Sequence, residues 1–291
     1  MSQVNQTEND PYKVFEYYAG LSFPHQIRNA FFGRTDLSGF AIVGRAGVGK
    51  TNYAYYSIKV GYMLSLCHGH GISFGDTKAC WDYVTKVHGD ICFGRNCEEP
   101  DEIDEKLKDF VFVGNEDINR LTSVLRKMLD NDEKPLPILF MDDIALKHLY
   151  QLGGRYKELY VYLKRIYQYR RAIARTVVVT APSKDDLVSV FTDFIFIYGN
   201  TDGVRIRFIR WAAKKAKVTL SYEMGQFIET YRTFYDIAWE DVIPRRSIFA
   251  MPRWLEDLIN RRKRAVIRDS IKQLNKAARE GRKPRGRRSR A

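Results

Sequence analysis

Gly44-Arg45-Ala46-Gly47-Val48-Gly49-Lys50-Thr51 is the stretch whose reading decides the fold. It fits G-x-x-x-x-G-K-[ST], the pattern of a phosphate-binding loop. Its flanks fit as well. Phe40-Ala41-Ile42-Val43 is a short apolar run of the buried-strand kind, and Asn52 to Ser65 reads as a helix with Ala54, Ile58 and Leu64 among its apolar positions. Strand, glycine loop and helix start in that order let successive backbone N–H groups face an anion, with the positive end of the helix dipole behind them. Lys50 is placed to reach the β- and γ-phosphates of ATP, and Thr51 offers a hydroxyl to Mg²⁺. The expected nucleotide-binding set is therefore Gly44, Arg45, Ala46, Gly47, Val48, Gly49, Lys50 and Thr51.

A second motif lies some ninety residues on. After Pro135-Leu136-Pro137 comes Ile138-Leu139-Phe140-Met141-Asp142-Asp143, four apolar residues closed by two carboxylates. A strand apolar throughout belongs in the middle of a parallel sheet, and its C-terminal end is where open α/β sheets bind ligands. Asp142 is expected to hold the metal together with Thr51. Asp143 is expected to polarise the attacking water, at a position where many ATPases carry the longer glutamate. Thr176-Val177-Val178-Val179-Thr180 reads as the strand beside it. Thr180 is expected at that strand's end, either sensing the γ-phosphate or capping the next turn.

The rest of the chain sets bounds. At 291 residues, 45% hydrophobic and 29% charged, it has the composition of a globular protein with one large domain or two small ones. No apolar run approaches ~18 residues and the N-terminus has no charged and apolar leader, so a cytoplasmic location is expected. Cys67, Cys80, Cys92 and Cys97 lack the C-x2-C spacing of a zinc site, even with His68 and His70 close by. Reduced, partly buried thiols are expected. The net charge of +13 is concentrated at the C-terminus. From Arg261 to Arg290 there are fourteen Lys or Arg against Asp269 and Glu280, a balance of +12. The other residues, 34 basic and 33 acidic, sum to +1. Such a tail binds DNA by neutralising phosphates, and a small-molecule kinase has no use for it.

Five segments are expected. Residues 1–37 form a lead-in, with a helix from Pro24 to Phe32, and residues 38–200 the phosphate-binding α/β core. Within the core, Thr77 to His88, Asn115 to Asp130 and Tyr156 to Ala174 read as helices. Residues 89–101 read as an irregular insertion. Residues 201–250 form an antiparallel β extension, built from Val204 to Trp211, Lys217 to Tyr222 and Phe227 to Trp239. Its Arg205, Arg207, Arg210, Lys214 and Lys215 are interleaved with aromatics. They mark either a nucleic-acid face or an ordinary sheet edge blunted by charge. Residues 251–278 form a basic helix, and residues 279–291 a disordered basic tail. Arg155, Arg165, Arg170, Arg171 and Arg175 are candidate arginine fingers in a ring-shaped homo-oligomer.

The combination resembles the ATPases of spindle-shaped archaeal viruses and related plasmids, which are described as DnaA-like AAA+ proteins. The residues that carry the resemblance are Gly44 to Thr51, Leu136 to Asp143, the helix with Tyr167 and Arg170-Arg171, Val177 to Ser183, and Met251-Pro252-Arg253-Trp254 leading to Arg261-Arg262. It implies a P-loop fold of the ASCE type: a three-layer core around a parallel sheet. It also implies MgATP hydrolysis and a role in replication, partition or packaging of a mobile genome. Asp143 in place of glutamate, and the lack of a DnaA-type helix-turn-helix, are where this chain departs from that pattern. A translocase of the FtsK–HerA kind, or an ATP-switched nucleic-acid-binding protein with little turnover, are the alternatives.

Overall fold

The loop Gly44 to Thr51 stands at the middle of a seven-stranded sheet in a computed structural model of the chain. The structure describes residues 10–33, 39–73, 75–108, 110–113, 134–142, 173–187, 194–223, 226–246 and 249–280, with isolated positions between 123 and 161. The expected helices 115–130 and 156–174, the terminal segments 1–9 and 281–291, and Asp143 lie outside the described residues.

The strands are β1 (Gly39–Val43), β2 (Val111–Val113), β3 (Leu136–Asp142), β4 (Ala174–Ala181), β5 (Ile195–Thr201), β6 (Arg205–Glu223) and β7 (Gln226–Pro244). Their order across the sheet is β2-β3-β4-β1-β5-β6-β7. The first five are parallel; β6 and β7 add an antiparallel hairpin at one edge. The fold is thus α/β around a mostly parallel mixed sheet. Side chains on both faces of β1, β3 and β4 are buried, Phe40, Ile138 and Val178 on one and Ala41, Leu139 and Val179 on the other. That is why these strands read as unbroken apolar runs.

The described helices are α1 (Pro11–Ala19), α2 (Ser22–Phe31), α3 (Lys50–Gly69), α4 (Thr77–His88), α5 (Glu102–Leu107) and α6 (Arg253–Glu280). Helix α1 was not expected: its aromatic-rich sequence hides a start set by Asp10, whose carboxylate accepts the N–H of Tyr12, with Pro11 in the first turn. Helix α2 borrows its cap from the far end of the chain. Asp241 on β7 accepts the N–H groups of Ser22 and Phe23 at 2.7 and 2.9 Å, and the Tyr53 hydroxyl at 2.7 Å. Burial, and then the nearby Asp241 charge, push the Tyr53 hydroxyl well up, so it stays a donor. Helix α3 is buried on nearly every side because it lies between the sheet and an outer layer of α1, α4, α5 and the start of α6.

A buried ionic cluster pins that outer layer. Lys59 on α3, fully buried, meets Asp101 at 2.6 Å and Asp104 at 2.7 Å and donates to the Cys92 carbonyl at 2.9 Å. Asp101 and Asp104 form a reciprocal capping box at the start of α5, and the Tyr55 hydroxyl donates to Asp104.

The cysteines correct the expectation of reduced thiols. Cys67–Cys80 and Cys92–Cys97 are disulfides. The first joins neighbouring helices α3 and α4, and the second closes a tight loop whose turn is made by Gly94. Neither juxtaposition follows from a metal-ligand spacing, because tertiary packing and a local turn bring the Cα atoms to 5.4 and 5.7 Å.

The extension also differs from the expectation. Its strands are 19 residues each, and β6 runs unbroken where two pieces were expected. Among the described residues, Ile206 to Arg210 pair with β5, and the remainder of β6 pairs with β7. Its charges are balanced in part across the ribbon. Arg207 lies 3.5 Å from both Asp202 and Glu240, and Lys214 lies 3.5 Å from Asp236.

Candidate functional site

The C-terminal ends of β1, β3 and β4 meet on one edge of the sheet. In the loop after β1, Gly47 and Gly49 have φ of 79° and 82°, a left-handed conformation that side chains disfavour, and Gly49 caps α3 directly. The Val48 side chain is buried and roots the loop, while Arg45, Ala46 and Gly47 are exposed. The N-terminus of α3 therefore opens onto the loop's concave side. Lys50 donates through Nζ to the carbonyls of Gly44 and Arg45 at 2.7 and 3.1 Å, so its ammonium lies over the loop it belongs to.

Asp142 and Thr180 arrive from the other two strands. Because β4 lies between β1 and β3, with Ile42 opposite Thr180 and Met141 opposite Val179, Asp142 and Thr180 end at the same level. The hydroxyls of Thr51 and Thr180 both donate to Oδ1 of Asp142, each at 2.6 Å. Asp142 is fully buried, at the end of an apolar strand. The structure thus brings together Gly44 to Thr51, Asp142 and Thr180. Asp143 falls outside the described residues. Of the arginine candidates, Arg175 is described, and it serves the fold: its guanidinium donates to the Phe31 carbonyl at the end of α2.

A cavity of about 380 Å³ lies over the loop. One wall is Lys50, Thr51, Thr180 and Pro182. The other was not foreseen from sequence: it consists of Arg95, Met251 and the first turns of α6, through Glu256 and Asn260. Asn52 and Tyr56 on α3 hold that second wall through the carbonyls of Phe249 and Ala250. Nothing local in the sequence marks these residues; they reach the cavity because α6 packs across the start of α3, with Trp254 edge-on to Tyr55.

The arrangement could hold a hard cation at the Thr51–Asp142 pair. One carboxylate and one hydroxyl on a helix start suit Mg²⁺, which takes few protein ligands and completes its shell with water and phosphate oxygens. Among the described residues no three His, Cys, Asp or Glu side chains gather into a fuller metal site. Beyond the cavity, α6 shows Arg261, Arg264, Arg268 and Lys272 exposed at helical spacing, a basic stripe. No helix among the described residues is long and apolar enough to cross a membrane.

Compared with known families and curated proteins, the chain matches no family model and no curated protein.

Proposed function

We propose that the protein is a Mg²⁺-dependent P-loop ATPase of the ASCE kind acting on DNA. The observation that carries this reading is the convergence of the Thr51 and Thr180 hydroxyls on Asp142, with β4 inserted between the loop strand and the carboxylate strand. That order brings the loop, the carboxylate and Thr180 to one edge of the sheet, and it is compatible with a three-layer core. Bound Mg²⁺ supplies charge neutralisation on the phosphates. The loop amides and Lys50 bind the phosphate chain, Thr51 and Asp142 hold the metal, and Thr180 fixes the Asp142 carboxylate while facing the cavity. Asp143, one residue past β3, is assigned the water.

The expected result for Lys50→Ala is loss of ATP turnover to background, with DNA-stimulated turnover in the parent protein. Steady-state phosphate release with and without single- and double-stranded DNA measures it. Binding without measurable turnover in the parent would favour the switch reading over the ATPase. Mass in solution with and without ATP tests the proposed homo-oligomer, and a DNA-stimulated ring would favour a translocase.

The basic C-terminus is assigned the DNA backbone. If about half of the fourteen tail cations engage phosphates, log affinity falls with log salt at a slope on the order of −6. Deleting residues 279–291 removes seven of those cations. The expected outcome is a slope roughly halved and weaker DNA binding, with ATP binding unchanged. An unaltered slope in a fluorescence-anisotropy salt series removes the tail from the interface.

A further inference from the structure

The second wall of the cavity carries a cation, and its mounting is unusual for an exposed arginine. Arg95 sits at the outer turn of the loop 92–97, with its side chain in solvent and lining the same cavity as Lys50 and Thr51. The loop beneath it is fixed from several directions. Cys92 and Cys97 close it covalently. The Gly94 N–H donates to the Tyr56 hydroxyl at 2.7 Å, and the Cys97 N–H turns back to the Gly94 carbonyl. Lys59 holds the Cys92 carbonyl, Asp101 accepts the Cys92 N–H, and the Trp254 N–H donates to the Cys97 carbonyl. Phe93 is buried against Tyr56. Five anchors on three elements hold six residues, and the side chain they present outward over the phosphate loop is a guanidinium.

Charge shows what such a group is for. MgATP brings about two net negative charges to this cavity, Lys50 offsets one, and Asp142 and the lining Glu256 each add one. One ammonium and a helix dipole leave a deficit of positive charge, which a second fixed cation on the opposite wall reduces. A guanidinium is always protonated and matches phosphate oxygens two at a time, and a rigid loop leaves only the side chain to be ordered on binding.

We propose that Arg95 is a phosphate-binding residue acting in cis, closing on the phosphate chain of a bound nucleotide from the side opposite Lys50. The proposal rests on the reading of the cavity as a nucleotide site. It places a cation for the triphosphate in the insertion before β2, ahead of the arginine-rich helix that sequence reading favoured.

The test is equilibrium binding of MgATP, MgADP and AMP to the full-length protein, to Arg95→Ala and Arg95→Lys, and to Lys50→Ala, with thermal unfolding of each without ligand. The expected result for Arg95→Ala is a 10- to 100-fold weaker MgATP affinity, a loss of less than threefold for AMP, an unchanged unfolding temperature, and partial recovery in Arg95→Lys. If the parent protein binds MgATP in a Lys50-dependent way and Arg95→Ala binds it within twofold, Arg95 is a solvated surface residue and the proposal fails alone. If the parent protein binds no MgATP, the nucleotide reading of the cavity falls and this proposal falls with it.

Discussion

Asp142→Asn is expected to fold normally, bind nucleotide, and turn ATP over at least about a hundredfold more slowly than the parent protein. The amide keeps an oxygen where Oδ1 now accepts the Thr51 and Thr180 hydroxyls at 2.6 Å, so the two threonines stay in place. It loses the negative charge that would hold Mg²⁺. Asp142 is fully buried, so removing its charge also relieves a desolvation cost, and the unfolding temperature is expected to hold or rise. Stability and activity therefore move in opposite directions, which a purely structural carboxylate does not produce. A Mg²⁺ titration of turnover beside thermal unfolding reads both. Turnover within threefold of the parent removes Asp142 from the metal site.

The largest stability effect is expected at Lys59→Met. The lysine is 0% exposed and lies 2.6 and 2.7 Å from Asp101 and Asp104. Methionine fills nearly the same space but leaves two carboxylates without their cation in the interior. Breaking a buried pair in this way costs about 3–5 kcal/mol. The urea midpoint should fall accordingly with little change in slope. The effect should depend on pH in a definite direction. Burial holds the Asp104 carboxyl above its ordinary range, and the Lys59 charge partly opposes that rise. Without Lys59 the carboxyl rises further, so folded protein takes up the proton more readily than unfolded chain. Stability from that proton is fully present below the ordinary carboxylate range and is lost as pH rises through the raised folded value. The gap between variant and parent should therefore be smallest in acid and widest at neutral pH. Because Lys59 also holds the Cys92 carbonyl, the loop bearing Arg95 should loosen in the variant. A loss below about 1 kcal/mol at pH 7 means that water already reaches the cluster.

Some of this architecture was open to reading and some was not, for physical reasons. Strands β1, β3 and β4 are buried on both faces, so composition alone reveals them. Helix α3 is announced by the loop that caps it. The Thr51, Asp142 and Thr180 constellation follows once those three strands are placed in one sheet, although their order is set by pairing that no single strand encodes. Arg95 and Asn260 carry no local signal; they belong to the cavity only because Asn52, Tyr55 and Tyr56 on the outer side of α3 bind the loop 92–97 and the start of α6. Asp241 is similar, since a lone carboxylate near a strand end gives no hint that it caps a helix more than two hundred residues earlier. The disulfides escaped because Cys67 and Cys80 face each other across a helix pair. The hairpin's alternation was visible, but its continuity past Trp211 was not, because the small and basic residues Ala212 to Lys217 blur the period.

The placement of β4 between β1 and β3 also sets when the site can first exist. The loop is complete at Thr51 and the second motif at Asp142, yet the strand that seats them side by side ends only at Ala181. A growing chain that has already made both motifs still holds them apart, with an empty place in the sheet between them. Thr180 both donates its hydroxyl to Asp142 and belongs to the strand that closes that gap. Any nucleotide affinity should thus be absent from every nascent fragment that stops short of β4, and a fragment that ends there still lacks the cavity wall that Met251 and α6 supply.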